Sequence, residues 1–132
     1  MRRLPWVILG VSATASLTGL ALLAQVPFAA IERTGGTLAL QALFVVVMLV
    51  FGIVGAVVAS RLPRNPIGWL FLGLSLFDGL FELANGYTHY TVSADPGSLP
   101  GARWTAWVAD WTSPLAPPFL VAALLLLSLI HI

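Results

Sequence analysis

This chain has no cysteine and no lysine. The first absence excludes disulfides and thiolate metal sites and leaves the redox compartment open. Charge of either sign is scarce: six arginines and five acids are 8% of 132 residues. A soluble domain carries about a quarter charged residues to cover its surface, and this chain could not cover one. Its net charge of +1 is too small and too scattered for a nucleic-acid footprint, so nucleic acid is not among the expected partners. In place of charge there is apolar mass, 59% of the residues at a mean hydropathy of +0.98, gathered into long blocks.

Those blocks predict an all-α integral membrane protein of four transmembrane helices, forming a single membrane domain over about residues 1–126 with the lipid bilayer as its partner. The first span covers about residues 6–24 and is preceded by Arg2-Arg3-Leu4-Pro5. At about 1.5 Å per residue it reaches roughly 28 Å, enough for a hydrocarbon core of about 30 Å. A cleaved signal peptide opens the same way, but its apolar stretch is shorter and ends in a small-x-small site, neither of which occurs here. The second span, about 37–60, contains no charge. Its later half carries Gly52, Ala56 and Ser60 at i, i+4, i+8 with Gly55 and Ala59 beside them, a pattern that lets another helix approach closely. The third span covers about 67–87 and the fourth about 107–126, where Pro114, Pro117 and Pro118 are expected to kink the first half or delay its start.

The links are short. Residues 25–36 hold Glu32 and Arg33, and Arg61-Leu62-Pro63-Arg64-Asn65-Pro66 reads as a stiff turn set by two prolines. Residues 93–101 are rich in turn formers. Arg2, Arg3, Arg61 and Arg64 fall on one side, against Arg33 and Arg103 on the other, which places the N-terminus and the 61–66 turn in the cytoplasm. Trp69 suits an inner aromatic belt, and Tyr87, Tyr90, Trp104 and Trp107 an outer one.

Span three is the unusual one. Ser75, Asp78, Glu82, Asn85 and His89 are spaced 3, 4, 3, 4 and so share one helical face. Ten Ile, Leu and Phe between Ile67 and Leu83 contribute about −3 to −6 kcal/mol on the insertion scale, against about +5 to +7 kcal/mol for two central acids. The span is therefore marginal alone. It needs the stripe turned toward other helices, or Asp78 and Glu82 protonated, or both. Two readings follow. One is a proton- or ligand-sensing site, since intramembrane acids mark pathways and sensors. The other is an interhelical hydrogen-bond seam with Gln41 of span two, the Ser and Thr of span one, or Asp110 of span four. His89 at the outer end reads as a solvated interface residue, and one histidine beside two acids is too few for a metal site. Trp104, Trp107 and Trp111 at i, i+3, i+7 share a face and read as an interfacial anchor, with an aromatic ligand platform as the alternative.

One stretch resembles a known family. Ala59-Ser60-Arg61-Leu62-Pro63-Arg64-Asn65-Pro66-Ile67-Gly68-Trp69-Leu70 is similar to the Arg-Asn-Pro-Ile-Gly-Trp turn in the N-terminal transmembrane regions of bacterial sensor histidine kinases and related uncharacterised membrane proteins. Tyr87-Thr88-His89-Tyr90, Pro96 to Gly101 and Trp104-Thr105-Ala106-Trp107 look like the same family's outer loop, so the resemblance covers roughly residues 45–126. It implies a multi-pass protein of the bacterial inner membrane in a two-component signalling system. Arg61, Arg64, Asn65, Pro66, Gly68 and Trp69 carry over in a topological role. It implies no catalytic residue and no cofactor within these residues. A dimerising hairpin with the phosphorylated histidine and an ATP-binding domain often follow in such proteins, and homodimerisation would come through them.

The last six residues, Leu127-Ser128-Leu129-Ile130-His131-Ile132, resemble a translated transposase adapter used in sequencing libraries. On that reading residues 127–132 are a non-native tail, the chain is a fragment, and His131 belongs to no site. The leading functional expectation is then a truncated sensor or anchor region of a signalling kinase. The alternative is a stand-alone multi-pass protein of transporter or channel-subunit type, with span three lining a path. A membrane enzyme ranks last, because only Asp78, Glu82 and His89 could serve it.

Overall fold

The computed structural model describes residues 3–27, 29, 37–97, 99–112 and 116–130. Arg2, Glu32, Arg33, Pro114, His131 and Ile132 lie outside the described residues. The fold is helical, with no strand among the described residues.

Helix α1 spans Leu4–Leu23 and begins with a proline in its first turn, where a missing N–H costs no hydrogen bond. Helix α2 spans Leu38–Arg61 and is capped by Thr37, whose hydroxyl accepts from the Leu40 N–H at 3.2 Å. Helix α3 spans Pro66–His89. Its cap is Asn65, whose side chain accepts from the Ile67 N–H at 3.0 Å, and Pro66 opens the first turn. A π-helical turn, Tyr90–Ala94, prolongs α3 past the expected end of the third span. Helices α1 and α2 and the extended α3, Pro66–Ala94, are each long and apolar enough to cross a membrane.

Two helices occupy the stretch of the expected fourth span, α4 over Ala102–Thr112 and α5 over Ala116–Ile130, flanking residues 113–115, which lie outside the described residues. Pro117 and Pro118 fall in the first turn of α5, where proline is tolerated, which suits the expected delayed start. At about 1.5 Å per residue, the 15 residues of α5 reach only about 22 Å.

Helix α3 is the centre of the bundle: α1, α2, α4 and α5 all pack on it. Alternation of direction through short links sets α1 and α3 parallel and α2 antiparallel to both. The α1–α3 contact is nearly bare backbone. A Cβ added at Gly79 would stand 2.8 Å from the Ser12 carbonyl oxygen, and one at Gly19 or Gly86 would overlap the backbone of the facing helix. The α2–α3 contact is as close near the Arg61–Asn65 turn. A Cβ at Gly55 would lie 2.8 Å from the Leu72 nitrogen, and one at Gly68 2.7 Å from the Ala59 nitrogen. The small-residue pattern of span two is thus packing surface: Gly52, Gly55, Ala56 and Ala59 are buried, while half-buried Ser60 turns its hydroxyl back to the Val57 carbonyl. Ala56, Ala59 and Leu72 form a core with Ile8, Leu9 and Trp69 around it. At the opposite end Leu23 and Val26 pack with Leu38 and Ala94.

Candidate functional site

Three members of the polar stripe are fully inside the bundle. Ser75, Asp78 and Glu82 are 1%, 3% and 1% exposed, whereas Asn85 and His89 are half-buried. The gradient follows the helix: the buried part lies where α1 and α2 both cover α3, and the stripe emerges toward its C-terminal end.

Each buried member meets a different environment. The Ser12 hydroxyl of α1 donates to the Ser75 carbonyl at 2.6 Å and lies 2.7 Å from the Ser75 hydroxyl. A hydroxyl has one proton, so Ser12 spends its own on the carbonyl and accepts from Ser75. Gln41 of α2 donates its side-chain amide to Glu82 Oε1 at 2.8 Å. Two carboxylate oxygens, Asp78 Oδ2 and Glu82 Oε2, are buried with no hydrogen-bond partner among the described residues. A group left so costs about 1–3 kcal/mol, and more when charged. The two acids are one turn apart, about 5–6 Å between Cβ atoms by helix geometry.

The sequence offered three kinds of partner for the stripe. Gln41 is found on Glu82, and Ser12 represents the hydroxyls of span one. Thr14 and Thr18 bond back to the carbonyls of Gly10 and Thr14 on their own helix. Asp110 is exposed on α4 and joins no seam with the acids, because its face of α4 points away from α3. Residues missed by sequence reading are Gly19, Gly79 and Gly86. The signal was present: Ser12, Ser16 and Gly19 on α1 and Ser75, Gly79, Glu82 and Gly86 on α3 both step by 4 and 3.

The turn residues are positioned by local chemistry. Arg61 and Arg64 are exposed, and Asn65 and Pro66 begin α3. Trp69 donates its indole N–H to the Pro63 carbonyl at 2.9 Å, which closes the turn over one helical turn of α3. Gly68 is required by the close passage of Ala59. The far link is pinned by Tyr87, whose hydroxyl donates to the Pro100 carbonyl at 2.8 Å, and by Thr88, which donates to Thr105 at 2.9 Å.

Trp104, Trp107 and Trp111 form a ladder along α4, with ring centroids 6.5 Å and 5.7 Å apart. They are 74%, 54% and 61% exposed, while Ala109 and Thr112 face inward. No cavity encloses them among the described residues, and their outward aim suits an anchor better than a ligand platform.

In comparisons with known proteins, no family model, no curated protein and no solved structure matches this chain.

Proposed function

We propose that this chain is the membrane-embedded sensor or anchor region of a bacterial signal-transduction protein of the sensor histidine kinase type. In this reading it crosses the inner membrane four times with the N-terminus in the cytoplasm, the fourth crossing being made by α4 and α5. Support for that crossing is that both halves pack on α3 and that α5 is apolar throughout. The arginine balance and the resemblance of the Arg61–Trp69 turn support the orientation and the family. The resemblance of residues 127–132 to an adapter supports a longer natural protein, whose further part would hold the catalytic core and dimerise.

One observation carries the functional reading: the buried acid pair lies on the one helix that all the others touch. A change at Asp78 or Glu82 alters the packing of α3 against its neighbours, and a shift or rotation of packed helices is a way to transmit a state across a membrane. The links between spans are short, so the stimulus is received within or at the membrane. The transporter alternative draws on the same acids, but needs a path; the buried stripe is closed by direct α1 and α2 contacts from Ser75 to Glu82.

The test is a fusion of residues 1–126 to a histidine kinase core whose output is known. Membrane stress or a pH step should change phosphorylation in the fusion, and Asp78→Leu with Glu82→Leu should remove the response. A fusion that is inserted and phosphorylated but indifferent to both stimuli overturns the sensor reading.

A further inference from the structure

The two interfaces of α3 differ in what they permit around the acids. On the α1 side, Gly19, Gly79 and Gly86 bring backbone against backbone, and the Ser12–Ser75 pair closes the seam. No side chain there can swing away without separating the helices. On the α2 side, Gly52 and Gly55 make a tight contact near the 61–65 turn, but the far half of α2 is joined to α3 through two long side chains, Gln41 and Glu82. Leu40, Leu43 and Phe44 of that half are exposed, while Val45 and Met48 are buried and Leu38 packs on Leu23 and Val26. The contact of α2 with Glu82 thus runs through side chains that can part, whereas α1 and α3 meet backbone to backbone along the same stretch.

The geometry points to a proton-binding site at Asp78 and Glu82, read out through the Gln41–Glu82 hydrogen bond as opening of the far half of α2. It rests on the membrane-embedded part of the proposal above and not on the kinase. The ligand follows from the donor set. Two carboxylate oxygens without a hydrogen-bond partner, Asp78 Oδ2 and Glu82 Oε2, are buried one helical turn apart. Hard metal cations take about six to eight oxygens. The carbonyls of α3 serve its own helical ladder, and no third His, Asp or Glu joins the pair among the described residues. A proton needs one oxygen and supplies the missing donor.

Among the described residues no fixed cation competes for the pair. Helix α1 has no ionisable side chain, α2 has only Arg61 at its opposite end, and α5 has none. Helix α4 contributes Arg103 and Asp110, both exposed, and α3 itself adds Tyr87 and His89, both half-buried and more than one turn beyond Glu82. Each proton taken up removes one negative charge and gives one carboxyl O–H a neighbouring oxygen to bond. When both protons leave, two like charges one turn apart lie in an apolar interior with a single amide donor, that of Gln41 on Glu82, and the relief open to them is water entering from the α2 side.

The full chain, purified and placed in phosphatidylcholine–phosphatidylglycerol nanodiscs, tests this by infrared difference spectroscopy across a pH series. The wild type should show a protonated-carboxyl band that disappears as pH rises. Asp78→Asn and Glu82→Gln should each remove part of it, and the double variant all of it. Because the chain has no cysteine, spin labels can be placed singly. A Leu40→Cys, Leu80→Cys pair should report a longer α2–α3 distance over the pH range in which the band is lost. A Leu17→Cys, Leu80→Cys pair across α1 and α3 should not change. A band that survives in the double variant, a wild type with no pH-dependent band, or equal movement of both label pairs would overturn the inference. In the neutral, isosteric variants an unchanged Leu17–Leu80 label distance separates loss of the band from loss of structure. A titrating site in a chain whose kinase fusion stays silent would retire the sensor proposal and leave this one standing.

Discussion

Helices α2 and α3 are each 24 residues long and are joined by four residues, yet they are stabilised in opposite ways. Helix α2 has no ionisable group before Arg61 and leaves Leu40, Leu43, Val46, Val50 and Ile53 exposed. It needs only an apolar solvent. Helix α3 places two acids at its middle and buries them, and half of its apolar window is inside the bundle against a third for α2. It needs neighbours. An apolar helix can be a structural unit by itself, whereas a helix with polar contents becomes the organising element because every partner must come to it.

The largest expected effect is on insertion of the two helices as isolated segments. Residues 37–61 should insert fully in a translocon assay, and residues 66–94 poorly. Asp78→Leu with Glu82→Leu should shift the α3 segment by about 6–8 kcal/mol toward insertion, measured by glycosylation of flanking acceptor sites. Equal insertion of both wild-type segments would break the comparison.

Next comes close packing. Gly19→Leu would drive a side chain into the Glu82 backbone and should lower the unfolding free energy by more than about 3 kcal/mol in a steric-trap or denaturant assay in lipid. Gly10→Leu on the same helix meets open space and should cost nothing measurable. Similar losses at both sites would mean that α1 and α3 do not meet along the Ser12–Gly19 seam.

Smaller effects belong to single hydrogen bonds. Gln41→Leu should cost about 1 kcal/mol, the usual size for an interhelical side-chain bond in a bilayer, and leave Glu82 without its one donor. A double-mutant cycle of Ser12→Ala and Ser75→Ala should give a coupling of about 0.5–1.5 kcal/mol. The smallest change is expected from Trp104, Trp107 and Trp111 to Leu. Their faces are exposed, so stability should move little, while quenching by depth-graded brominated lipids should report their place at the interface.

Much of the bundle could be read from one-dimensional pattern. The expected spans at 6–24, 37–60 and 67–87 became Leu4–Leu23, Leu38–Arg61 and Pro66–His89, with the caps Thr37 and Asn65 setting two of the starts. The stretch of the expected fourth span holds α4 and α5, and its three prolines in five residues permit either a kink or a delayed start, between which local pattern does not choose. The stripe was legible as a stripe. That Ser75, Asp78 and Glu82 would be buried and Asn85 and His89 only half so depends on how far α1 and α2 reach along α3. Asp110 looked as eligible as Gln41 and lies outside, since helix rotation is set by packing and not by composition.

By itself, the sequence determined that this chain is helical, where its long apolar helices run, and that one of them carries acids it cannot shelter alone. Hydrophobicity and periodicity are local properties, and they need no partner to be read. The tertiary structure decided which backbones touch, so that Gly19, Gly79 and Gly86 became contact points and Gly10 did not. It also decided that Glu82 receives one donor while Asp78 Oδ2 and Glu82 Oε2 receive none. Those outcomes depend on distances between residues tens of positions apart, which only the packed bundle fixes.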